Sequence, residues 1–248
     1  MRLEHSPSGQ EVLMKKFRNL FRISLLSFII GGCCSAHIVE DSVKTPATQE
    51  ETRRADIEEL RQSTVALVDK SLGVIIPVCT GVWIEKNTIL TAAHCVEDSP
   101  VASYTTLDGY NKDETKTAIL VGYDKKVDLA LLYTISSDDH PVAIISKNEI
   151  ATGDPLHIIG HPVGYAWTYM SGEISAVRSD FGGPSGKIEK VIQISAPVWM
   201  GVSGGGAFNA QGQLIGICSW VSKNGPNLAF FIHKDVVQEF IKRQKNQL

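Results

Sequence analysis

From Ser63 onward the chain is written in short β-branched runs closed off by Gly, Asn, Asp and Pro: TVALVDK, GVIIPVCTGVWI, TAILVGY, LALLYTI, DPLHIIG, YMSGEISAV, VIQISA, LIGICSWV and LAFFI. No other feature constrains the fold as much. Many short strands at this spacing indicate a sandwich or a barrel. Only the last segment, HKDVVQEFIKRQKNQL, has helical spacing, with Val236, Val237, Phe240 and Ile241 on one face. The expected body is all-β with a C-terminal helix. An apolar content of 43% and a net charge of −3 suit an ordinary globular protein and offer no basic excess for nucleic acid.

The first quarter of the chain reads differently. Residues 1–13 are polar and precede a plausible start at Met14. From there MKKFRNLFRISLLSFIIGGCCSAH sets a basic end (Lys15, Lys16, Arg18, Arg22) before a short apolar run, Ile23 to Ile30, and then small residues. That is the layout of an export signal, with an apolar middle too short to span a bilayer. The string IIGGC resembles a bacterial lipobox, in which Cys33 would become the lipidated first residue and attach the protein to a membrane. An ordinary cleaved signal, leading to secretion, and an uncleaved anchor are the alternatives. Residues 38–62 are charged and poor in large apolar side chains, so they cannot bury enough surface to fold alone. The expected organisation is an extension and export signal over 1–33, a polar tether over 34–62 with one or two helical turns near ADIEEL, and a folded domain over 63–248.

The stretch GVSGGGAF, Gly201 to Phe208, poses the question of chemistry. A serine hydroxyl is a weak nucleophile at neutral pH and needs an imidazole base, itself held by a carboxylate. Gly201 to Gly205 satisfies G-x-S-x-G, the nucleophile elbow of α/β-hydrolases. That fold needs a strand–turn–helix context and partners in the order Ser, acid, His. The only histidine after Ser203 is His233, no acid lies between them, and the body lacks the helices. The reverse order, His then Asp then Ser, is met upstream by His94 in ILTAAHCV and Asp128 in VDLALLY. His94 follows small residues that let it sit against a packed strand end, and Asp128 stands at the head of an apolar strand.

These three contexts, TAAHC, DLALL and GVSGG, together with LIGICSW, resemble those of trypsin-like, chymotrypsin-fold serine proteases over about Ser63 to Val237. The resemblance implies two antiparallel six-stranded β-barrels with the active site in the cleft between them. It implies a triad of His94, Asp128 and Ser203 that hydrolyses peptide bonds through an acyl-enzyme, and an oxyanion hole built by the backbone N–H groups of Gly201 and Ser203. It also implies a disulfide between Cys79 and Cys95, which an exported chain can keep and which would stabilise by about 3 kcal/mol in the chain-entropy model. Two reduced core cysteines are the alternative. Cys218 then reads as a buried strand residue.

Departures from trypsin narrow the reading. Residue 202 is Val, where enzymes activated by a freed N-terminus carry an Asp, so no trypsin-style activation is expected. IQISAPVWMGVSGG and GHPVGYAWTYMSGEISAV are similar to bacterial HtrA-type proteases, although the stretch after Ser203 is too short for the PDZ domain those proteins usually append. Glutamyl endopeptidases share TAAHC but use a polar pocket. Pro197 and Val198 stand where trypsin holds its pocket acid, and Val198, Val221 and Ala229 are expected to line an apolar pocket for a small or medium aliphatic residue. Ser219, Trp220 and Val221 are expected to pair with an extended peptide as an added strand. No phosphate-binding loop occurs, and His157 and His161 flank a strand-like IIG without an acid cluster, so neither cofactor nor metal is expected. A catalytically silent peptide-binding protein on the same fold is the other function kept open. Either would act at the cell envelope or outside the cell on a protein or peptide.

Overall fold

The computed structural model describes residues 57–135, 139–222, 225 and 227–247. The export segment, Cys33 and most of the tether lie outside the described residues. The body is two closed antiparallel barrels of six strands each. The first comprises β1 (Thr64–Asp69), β2 (Ile76–Glu85), β3 (Thr88–Thr91), β4 (Val101–Thr105), β5 (Lys116–Asp124) and β6 (Leu129–Tyr133), closing in the order β1-β2-β3-β6-β5-β4. The second comprises β7 (Pro155–Gly160), β8 (Thr168–Gly183), β9 (Gly186–Ser195), β10 (Gly206–Phe208), β11 (Leu214–Val221) and β12 (Leu228–His233), closing as β10-β11-β12-β9-β8-β7. Closure gives every strand a neighbour on both sides and leaves only short stretches at strand ends without one.

Burial explains why so many strands read as continuous apolar runs. Alternate side chains fill each barrel: Val65, Leu67, Trp83, Ile89, Tyr104 and Leu132 in the first, Ile158, Ile192, Ile194 and Phe231 in the second. The opposite faces of β3, β6, β11 and β12 are covered as well, by a third cluster that includes Leu90, Leu131, Phe208, Ile217 and Ile232. A strand buried on both faces loses its period-two alternation.

Among the described residues two helices lie beyond β1, in addition to a helical segment before it. The short helix α1 (Leu107–Asn111) is capped by Thr106, whose side chain accepts from the Gly109 N–H at 3.1 Å. It adds to the single helix expected, because one turn is too short to show a helical period. The terminal helix α2 (Lys234–Lys245) follows β12 directly, with the His233 ring accepting from the Asp235 N–H at 3.1 Å. Asp235 in its first turn and Lys242, Arg243 and Lys245 in its last match the helix dipole. Val236, Val237 and Phe240 are buried. The helix packs on β9, β11 and β12 and also on β5, and Arg243 pairs with Asp124 at 3.1 Å, so it ties one barrel to the other.

The expected tether ends earlier than residue 62. Residues 57–62 are helical, Leu60 is 4% exposed within the shared cluster, and the Arg61 carbonyl accepts from Trp167 Nε1 at 3.0 Å. The segment is held because its two large apolar side chains, Ile57 and Leu60, find a ready-made apolar seat.

Candidate active site

The first barrel brings two of the expected residues together. His94 lies on a 3-10 turn, Ala93–Cys95, immediately after β3, and the fully buried Ala92 and Ala93 let that turn press against the barrel end. Asp128 heads β6 in a left-handed conformation, φ 55°, which Asp tolerates better than most residues. Its carboxylate, 6% exposed, accepts from His94 Nδ1–H at 2.9 and 3.0 Å and from the His94 backbone N–H at 3.0 Å. Ser219 Oγ of the second barrel donates to the same carboxylate. With Nδ1 committed to Asp128, a neutral His94 carries its lone pair on Nε2. The hydrogen bond to Asp128 pushes the His94 pKa above its ordinary 6.5. Burial opposes that shift, and the charges of Asp128 and Glu97 add to it.

The second barrel supplies the serine turn, between β9 and β10. The Ser203 carbonyl accepts from the Thr80 N–H at 2.8 Å and lies 3.7 Å from Cys95 Sγ, beside His94. Gly204, at φ 82°, has no room for a Cβ, which would fall on the Thr80 carbonyl and the Thr91 hydroxyl. The Ser203 hydroxyl has no hydrogen bond among the described residues. Free enzymes often leave such catalytic contacts long until substrate binds. Backbone donors around it divide cleanly. The N–H groups of Val202, Gly204 and Gly205 are taken by Trp199, Cys218 and Val202 carbonyls, at 3.2, 2.8 and 2.8 Å. Those of Gly201 and Ser203 meet no acceptor among the described residues. Two unpaired donors on one turn can stabilise an oxyanion.

Cys79 and Cys95 form a disulfide, and Cys218 is a free, buried thiol whose pKa burial pushes up. Among the described residues the one grouping of potential metal ligands is Cys79, His94 and Cys95. Its sulfurs are in the disulfide and offer no thiolate. His157 and His161 have separate partners, Tyr169 Oη and Thr80 Oγ1, both at 2.9 Å.

The expected substrate residues are spread out. Ser219 is buried on Asp128, while Trp220 and Val221 keep partial exposure. β10 pairs with β11 only through Leu214 to Ile217, so Trp220 and Val221, after a bulge at Ser219, have β12 on one edge and, among the described residues, no strand on the other. Val198 and Ala229, 7% and 0% exposed, are packed with Cys218 inside the second barrel rather than along an open wall. Thr80, Thr91 and Val163, which grip the serine turn or its flank, were not singled out from the sequence. A threonine in a strand carries no local signal of such a contact.

Known proteins resemble this chain in family profile, in sequence and in fold. The profile of the trypsin-like peptidase domain matches residues 79–217. A protein of Rhizobium meliloti described as a probable periplasmic serine endoprotease DegP-like is 34% identical over 166 residues, 64% of this chain and 32% of that protein. The chain therefore spans about a third of the length of the first such relatives. Among solved structures, the HtrA-type protease AlgW with tripeptide superposes with a TM-score of 0.65 at 26% identity, covering 76% of this chain and 62% of that one. The inactive form of Rv3671c from M. tuberculosis H37Rv superposes with a TM-score of 0.65 at 20% identity, over 80% of this chain and 94% of that one, a likeness of fold.

Proposed function

Because this chain belongs to the trypsin-like peptidase family, we propose that it is a serine endopeptidase in which Ser203 attacks, His94 moves the proton and Asp128 orients the imidazole. The observation that carries this reading is the bond from His94 Nδ1–H to a buried carboxylate, with Sγ of the next residue, Cys95, 3.7 Å from the Ser203 carbonyl. Nε2 takes the Ser203 proton as the hydroxyl attacks the scissile carbonyl. It returns that proton to the leaving amine, and water then hydrolyses the acyl-enzyme by the same route. The unpaired N–H groups of Gly201 and Ser203 hold the oxyanion that develops in each half, where one such donor contributes about 2.7–4 kcal/mol.

The substrate is an extended peptide laid along the open edge of Ser219 to Val221, as an added strand. Cleavage after Lys or Arg is disfavoured, since residues 196–202 and 218–222 contain no acid to meet a basic side chain, and the partly exposed Val221 offers the apolar contact for a small or medium aliphatic residue instead. Export to the cell envelope is supported by the signal-like segment, the disulfide and the relatives described as periplasmic. Attachment through lipidated Cys33 is a finer proposal, and the mass of the mature N-terminus decides it.

Digestion of a peptide library tests the central reading. The intact protein cuts after small aliphatic residues, and Ser203→Ala loses roughly a million-fold in kcat, as loss of a triad member does. Near-normal cleavage by Ser203→Ala would move the nucleophile elsewhere. A folded protein that cuts nothing would leave the peptide-binding alternative.

A further inference from the structure

The serine turn is held by groups that take no part in the triad. Thr80, fully buried on β2, grips it twice. Its backbone N–H donates to the Ser203 carbonyl at 2.8 Å, and its hydroxyl donates to the Gly201 carbonyl at 2.7 Å. Behind that hydroxyl, at 2.9 Å, lies Nδ1 of His161, fully buried, with the Trp167 ring edge-on to it at 4.6 Å between centroids. A hydroxyl has one proton, and a carbonyl can only accept. The Thr80 proton is therefore on the Gly201 side, and His161 must donate from Nδ1. The chain of donors runs His161 Nδ1–H to Thr80 Oγ1–H to the Gly201 C=O. Burial pushes the His161 pKa down to about 3, which keeps the ring neutral with a single N–H to give. Its Nε2 is buried without a partner among the described residues.

The same loop reaches the preceding peptide. Val163 N–H donates to the Met200 carbonyl at 2.7 Å from a left-handed conformation, φ 47° and ψ 35°. A β-branched residue there is a genuine outlier, and such strain persists only where the surroundings impose it. A trans peptide points its C=O and its N–H in opposite directions. Drawing the Met200 oxygen to Val163 thus turns the Gly201 N–H away from the loop, and holding the Gly201 oxygen on Thr80 fixes the next plane.

We propose that Thr80 and His161 are positioning residues, a hydroxyl–imidazole latch that holds residues 201–203 with the N–H groups of Gly201 and Ser203 open to an oxyanion. The proposal rests on the peptidase reading and deepens it. It gives the turn an anchor in place of the Asp that pairs with a freed N-terminus in trypsin, because Val202 is fully buried in the second barrel's core and carries no charge.

The test compares Thr80→Val, which removes only the hydroxyl, with Thr80→Ser, which returns it, and His161→Leu with His161→Asn, which keeps a side-chain N–H. Thr80→Val lowers kcat at least about tenfold, a fraction of the roughly 10²–10³ lost when an oxyanion donor is deleted outright. It weakens a peptide aldehyde inhibitor by the same factor and leaves KM and the acid limb of the pH profile in place. Thr80→Ser and His161→Asn recover most of that loss, whereas His161→Leu does not. A crystal structure of Thr80→Val shows the Gly201–Val202 peptide rotated. The latch is overturned if kcat survives Thr80→Val, if Thr80→Ser fails to restore it, or if the turn is unmoved in the crystal. Should Thr80→Val not fold, the His161 pair decides by the same readings. If the unaltered protein cleaves no peptide, the peptidase reading has failed on its own account, and the crystal structures alone judge the latch.

Discussion

His94 is 45% exposed at its side chain, yet its Nδ1 and its backbone N–H both end on one carboxylate. That double attachment fixes the ring and raises its pKa, with a direct consequence for the rate. In its proposed role as general base His94 must be unprotonated, so kcat/KM is expected to fall as pH drops through the raised value. The half-point of the acid limb is expected above the ordinary 6.5. A pH–rate profile checks this, and a half-point at or below 6.5 contradicts it. Gly201 gives a second residue-level expectation. At φ 98° any L side chain is strained, and a Cβ would fall onto the His161 carbonyl. Gly201→Ala should therefore lose about 10²–10³ in kcat, the size of a lost oxyanion donor. Stability of the fold to urea should change far less than activity, and an active Gly201→Ala protein would show the turn to be unimportant.

Helix α2 and residues 57–62 are the elements that close the molecule around its shared core. Phe240 is fully buried where α2 meets both barrels, so Phe240→Ala should cost about 3–5 kcal/mol. Thermal unfolding would show this as a fall of several degrees, and an unchanged midpoint would mean the helix is dispensable. The legibility of these elements differs for physical reasons. Val236, Val237, Phe240 and Ile241 repeat at the helical period, so α2 is readable from the chain alone. Residues 57–62 have only two large apolar side chains in register with the core, Ile57 and Leu60, and composition cannot say that a seat for them exists. The strands are readable as apolar runs. Their closure into two barrels depends on pairings such as Ala66 with Thr105 and Ala207 with Ile158. Such distant partners leave no mark in local pattern, and only the resemblance carried them. The same holds at the site. TAAHC and GVSGG advertise themselves by residue type, whereas Thr80 looks like any strand threonine until β2 is laid against the serine turn.

At the scale of the molecule, two neutral imidazoles are buried while a third is held charged-ready at the surface. Burial lowers His161 to about 3 and His233 to about 4. The unfolded chain therefore binds protons below about 6.5 that the fold refuses, and stability falls as pH drops through that window. His94 works the other way. Its contribution is complete below 6.5 and is lost as pH rises through its higher folded value. Urea unfolding should show a lower midpoint near pH 4.5 than near 6.5, and a flat or rising trend would contradict the burial of these rings. The central claim is that Ser203 is a nucleophile assembled between barrels from three separated segments. Reaction with a fluorophosphonate tests it most directly, because only an activated serine in a formed site is labelled at an appreciable rate. The expected result is one adduct per chain, located by mass spectrometry to the peptide carrying Ser203 and absent from Ser203→Ala and His94→Ala. A folded, disulfide-intact protein that takes up no label, or takes it up at another residue, would contradict the account.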